Sequence, residues 1–123
     1  MVIEGMLALT GQYFQTDNME KRGILQGHLQ GFKKISQDEH RHVAYGTWFL
    51  QQKAEDPELA KRVQDKLVET LPAAAGVLVP PGYKLGDDYE YLGYSSQEMN
   101  EFAFTALSRR LKVIGIGLPA LAG

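Results

Sequence analysis

Apolar residues recur at three- and four-residue steps along much of the chain. The longest such run, Leu25, Leu29, Phe32, Ile35, Val43, Phe49 and Leu50, predicts a helix over about residues 24–52. His28, Glu39, His42 and Gly46 fall in the same stripe, so the pattern places them toward the core with the large apolar side chains. Before this helix, residues 1–14 read as another, starting without a capping signal and carrying Glu4, Leu7, Ala8 and Gly11 on one face. Residues 16–23 are polar and turn-like, and Gly23 supplies the break that lets the two helices pack antiparallel.

Downstream, Asp56-Pro57-Glu58 combines an N-cap, a first-turn proline and an acid that the helix dipole favours. It opens a third helix carrying Leu59, Val63, Leu67, Leu71 and Ala74, which Pro72 should kink or end. Residues 79–94 hold Pro80-Pro81-Gly82 and the tyrosines 83, 89, 91 and 94, the signature of an ordered surface loop. Ser95 and Glu98 form a capping box before a last helix with Met99, Phe102, Ala103, Ala106, Leu107, Arg110, Leu111 and Ile114. Pro119 marks its end, and the Gly/Ala/Leu tail is expected to be loose. The pattern predicts an all-α, ferritin-like helical bundle in a single partial domain, 1–123. Within it, 1–53 form a helical pair bearing candidate metal ligands, and 54–123 supply accessory helices and the Pro/Tyr-rich loop.

Composition narrows the chemistry. A net charge of −2 with scattered basic residues argues against nucleic acid and anionic membrane as partners. No apolar run is long enough to span a bilayer and no leader is visible, which makes the cytoplasm the default location. With no cysteine, any metal must bind through oxygen and imidazole nitrogen. An ionised carboxylate such as Glu39 goes into a core only with a cation or several donors beside it, because its dehydration costs several kcal/mol. Glu39 and His42 stand three residues apart, on adjacent turns of one helix face, and can serve one ion or neighbouring ions. Glu4, on the apolar stripe of the neighbouring helix, makes a third donor. Dinuclear carboxylate bundles take a Glu from each of two helices and a Glu-x-x-His from each of two more. This chain carries half of that set, so a twofold homodimer or a missing N-terminal half must supply the rest.

Other polar and aromatic positions carry plainer expectations. His28 reads as a satisfied core histidine, His40 as facing away, and Arg41 as paired with a nearby carboxylate. Tyr13, Tyr45 and Trp48 read as core packing rather than redox groups.

Val2-Ile3-Glu4-Gly5-Met6-Leu7-Ala8, followed 35 positions after Glu4 by Asp38-Glu39-His40-Arg41-His42-Val43-Ala44-Tyr45-Gly46, resembles the C-terminal half of the ribonucleotide reductase small-subunit superfamily. The stretch Leu25-Gln26-Gly27-His28-Leu29-Gln30-Gly31 and the Arg41 before the histidine are most similar to its ligand-binding oxidases with a Mn/Fe cofactor. The likeness extends over about residues 1–50. It implies that Glu4, Glu39 and His42 are metal ligands and that Asp38 is an outer acceptor orienting a ligating histidine. It also implies a cofactor of Mn and Fe, or two Fe, that reduces O2 in a two-electron oxidation beside a pocket for a long-chain fatty acid or similar small molecule. Two other classes compete with this oxidoreductase reading. One is a radical-generating small subunit of ribonucleotide reductase, for which residues 115–123 look too short and apolar to dock a partner. The other is a non-catalytic helical remnant that dimerises through its apolar faces.

Overall fold

The computed structural model describes residues 2–117, and the expectations for Pro119 and the tail lie outside them. The described residues are all-α apart from one short hairpin. A π-helical segment, Ile3–Ala8, runs directly into α1, Leu9–Arg22; α2 spans Gln26–Lys53, α3 Pro57–Val77 and α4 Ser96–Ile114. Between α3 and α4 lies an antiparallel ribbon of β1, Glu90–Tyr91, and β2, Tyr94–Ser95, turned through Leu92 and Gly93, both at positive φ.

Local signals set most of the helix ends. Gly23, at φ 63°, stops α1 in a left-handed cap: its N–H bonds Glu20, while the N–H of Ile24 reaches back to Met19. The Asp56 carboxylate accepts from the Glu58 N–H at 2.9 Å, with Pro57 in the first turn of α3. Ser95 and Glu98 form both arms of the capping box at the start of α4. Three expectations need correction. Residues 16–22 continue α1 instead of turning, because Asp17 pairs with Lys21 one helical turn on and the segment contains no glycine or proline until Gly23. Pro72 does not end α3, which continues to Val77; its ring lies on the exposed side, where the missing donor costs least. The stripe of α2 is not a core stripe in this chain: of that helix only Leu29 and Val43 are buried, and Leu25, Ile35 and Phe49 are exposed. The neighbouring helices pack along one side of α2 and leave the other open.

The main core joins Met6 of the π segment to Leu67 and Leu71 of α3 and to Ala103, Leu107, Leu111 and Ile114 of α4. A second, smaller cluster of Phe14, Tyr89 and Met99 lies under the hairpin. Polar contacts strap the hairpin to α1. Tyr94 donates its hydroxyl to Asp17, Asn18 donates to the Leu92 carbonyl at 3.1 Å, and Lys21 lies 2.7 Å from Asp17 and over the Tyr94 ring.

This strap is pH-sensitive. The hydrogen bond from Lys21, then that from Tyr94, holds the Asp17 carboxyl below the usual carboxylate range. The bond to Asp17 is also the main cause of the raised values of Tyr94 and Lys21. A depressed acid stabilises the fold above its unfolded value and loses that contribution as pH falls through its folded value. Groups with raised values contribute below their unfolded values and lose the contribution as pH rises through the folded ones. Protection factors for amide exchange in residues 87–95, taken against the intrinsic rate at each pH, are therefore expected to hold steady between about pH 5 and 9 and to fall below about pH 4 and above about pH 10. Asp17→Asn should remove the acid limb, and a wild-type protein with no change at either end contradicts the strap.

Candidate metal centre

Glu4, Glu39 and His42 come together. One ligand atom from each lies within 4.8 Å of the others, and His42 Nδ1 is 3.5 Å from Glu4 Oε1. Local structure explains the convergence. On α2 the three-residue step carries Glu39 and His42 to the same side. Glu4 reaches them from the π segment, whose wider turn is an uncommon geometry that concentrates at functional sites. The register is wider there because the Leu9 N–H bonds the carbonyl of Glu4, five residues back, as well as that of Met6. Thr10, buried at 2% exposure, donates its hydroxyl to the Met6 carbonyl at 2.5 Å, a further polar contact for that carbonyl beside the Leu9 N–H. Gly5 lets the segment approach its neighbours: a Cβ there would stand 3.2 Å from Arg110 Cδ and 3.4 Å from Val43 Cγ1.

The face around the three side chains is open, contrary to the expectation that they point into a closed core. The side chains of His42 and Glu4 are 63% and 41% exposed; Glu4 and Glu39 are half-buried and His42 is open to solvent. Glu39 Oε2 is buried with no hydrogen-bond partner, one of two such side-chain atoms among the described residues; the other is Gln12 Oε1. A buried carboxylate oxygen without a donor, next to a second carboxylate, is costly unless a cation compensates it. Two carboxylates and an imidazole form a hard-to-borderline donor set suited to Fe or Mn. Donors bound to one such ion stand up to about 4 Å apart, so small side-chain rotations bring these three into range. The residues fit a metal ion.

The neighbours divide cleanly. Asp38 is exposed and accepts from Arg41 at 3.2 Å, so the expected partner of Arg41 is found, and the Asp38 carboxylate lies outside the group of three. His40 faces away, with Nδ1 2.6 Å from the Ser36 carbonyl oxygen. His28 is not a core histidine; it is exposed and packs beside Phe32. Tyr13, Tyr45 and Trp48 are likewise exposed rather than core: Tyr13 and Trp48 line an open groove, and Tyr45 lies on the surface of α2.

Sequence reasoning missed Arg110. Its side chain passes Gly5, donates to the Ala106 carbonyl at 2.7 Å, and is held below the usual arginine range by burial. No carboxylate pairs with it among the described residues. Together with Tyr13, Val43, Trp48, Phe102 and Arg109 it lines an open groove of about 1310 Å³ between α1, α2 and α4. Tyr13 and Phe102 stack in its wall with ring centroids 4.3 Å apart. Only the chance position of an arginine on an apolar helix stripe hinted at it in the sequence. No family model matches the chain, and no solved structure matches it significantly.

Proposed function

We propose that this face is half of a dinuclear metal site in a ferritin-like four-helix core, and that the completed protein is an O2-dependent oxidoreductase using Mn and Fe or two Fe. The observation that carries this reading is the meeting of three donor atoms within 4.8 Å around a buried Glu39 oxygen that has no other partner. When bound, the ions supply the redox capacity to reduce O2 and draw two electrons from a substrate. The chain's own part is to hold and neutralise them. Glu4 and Glu39 present anionic oxygens, which favour the higher oxidation states. His42 turns Nδ1 toward Glu4, so that nitrogen would be the one to meet the ion. The apolar groove beside Val43, with the Arg110 guanidinium in its wall, suits a small apolar or fatty-acid-like ligand. Among the described residues no helix is long and apolar enough to cross a membrane.

Equilibrating metal-free protein with Fe(II) and Mn(II) without oxygen, then admitting O2 in the presence of a reductant, tests the reading. Stoichiometric metal and metal-dependent O2 uptake are expected. Metal binding without O2 uptake removes the oxidase, and a folded protein that takes up neither ion leaves the non-catalytic helical module, which the open face of α2 already favours as the second reading.

A further inference from the structure

Resting on that metal reading, we infer that Met6 is a positioning residue for the site: its burial against α3 and α4 holds Ile3–Ala8 in the π register, and that register turns Glu4 toward Glu39 and His42. A helix takes the α register by default, and a π turn persists where a contact outside its own ladder favours it. In this segment the Leu9 N–H reaches the Glu4 carbonyl, five residues back. Leu9 and Thr10 are buried and fix the start of α1, so the residues before them must take up any change of register. An α register there would swing Glu4 by roughly a quarter-turn about the helix axis, off its present side. Glu4 would then leave the group of three.

The same turn would draw Met6 out of the core. Met6 is fully buried in the cluster that Leu67 and Leu71 of α3 form with Ala103, Leu107 and Leu111 of α4. Returning its side chain to water forfeits apolar burial that a better helix ladder does not replace. On the other flank stands Gly5, where an added Cβ would lie 3.2 Å from Arg110 Cδ and 3.4 Å from Val43 Cγ1. A turned segment would move a side chain toward that gap, which fits none. Packing thus favours the π register against the ladder's preference for α, and Met6 is the largest buried group on the packing side. Helices α3 and α4 supply no donor to the group of three, yet through Met6 they set the position of one.

Equilibrium dialysis with Mn(II) and NMR on the full chain test the inference with Met6→Ala, the conservative Met6→Leu, and Leu107→Ala, which opens the same core but keeps the Met6 side chain. In metal-free Met6→Ala the nuclear Overhauser contacts between Glu4 and the His42 ring are expected to vanish, and Mn(II) affinity to fall by at least about tenfold. Met6→Leu should keep both, and Leu107→Ala should keep both in its folded fraction. Because Met6 acts through Glu4, adding Met6→Ala to Glu4→Ala should cost no further affinity. If Met6→Ala loses its helical circular dichroism, Met6→Val, a smaller truncation, takes its place. Contacts and affinity unchanged in the folded truncation overturn the inference, as do losses that Leu107→Ala reproduces or that add to those of Glu4→Ala. A wild type that binds no Mn(II), yet loses the Glu4–His42 contacts when Met6 is truncated, upholds the inference and fails the metal reading alone.

Discussion

Glu39→Ala is expected to weaken iron or manganese binding by at least about 100-fold, with little loss of fold. Removing a group that merely orients a metal ligand costs about 10–100-fold in affinity, and Glu39 is placed as a direct donor, so its loss should reach or exceed the upper end. The fold should tolerate the change for the reason that makes the site visible. Glu39 Oε2 is buried without a partner, so the metal-free protein gains nothing from that oxygen and is relieved of an uncompensated charge. Equilibrium dialysis with metal analysis reads the first effect, and the melting temperature of the metal-free protein reads the second. Full metal retention would remove Glu39 from the site. A collapse in stability would assign it a structural role that the contacts around it do not show.

Leu107→Ala is the complementary case, with its effect on stability and not on chemistry. Leu107 is fully buried between Met6, Leu71 and Leu111, in the cluster that ties α3 and α4 to the π segment. Truncating such a leucine costs about 2–5 kcal/mol, a transfer contribution plus the cavity left behind. Domains of this size have about 5–15 kcal/mol in total, so the urea midpoint should fall by about a third at mid-range values and by no less than about a tenth. A loss under about 1 kcal/mol would mean that the cluster is not the core. The grouping of Glu4, Glu39 and His42 should survive in whatever fraction remains folded, because Met6 reaches the cluster from the inner side of the segment that carries Glu4 on its outer side.

Much of the fold was legible in residues whose effect is local. Asp56-Pro57-Glu58 and the Ser95–Glu98 box act within four or five residues of themselves and open their helices where the pattern places them, while Gly23 supplies the break before α2 but ends α1 later than the pattern places its end. Asp17 and Asn18 misled because polar residues typical of turns were serving a distant partner. Their side chains meet Tyr94 and the Leu92 carbonyl, contacts 77 and 74 residues away in sequence. Pro72 misled because its cost depends on whether its ring faces solvent or a neighbour, and residue type carries no record of that. The π geometry at Glu4 has no signature in Ile3-Glu4-Gly5-Met6-Leu7-Ala8 beyond the glycine.

The amino-acid order by itself determined four helices, the N-caps of α3 and α4 and the alignment of Glu39 with His42 on one face, since helical period and capping chemistry depend only on near neighbours. Periodicity identifies which residues share a side of a helix. It does not say whether anything lies against that side. Only the tertiary structure decided that α2 buries Leu29 and Val43 while Ile35, His42 and Phe49 stay open, and that Glu4 crosses to complete a group of three. Burial is a property of pairs of surfaces, and the period of one helix describes only its own.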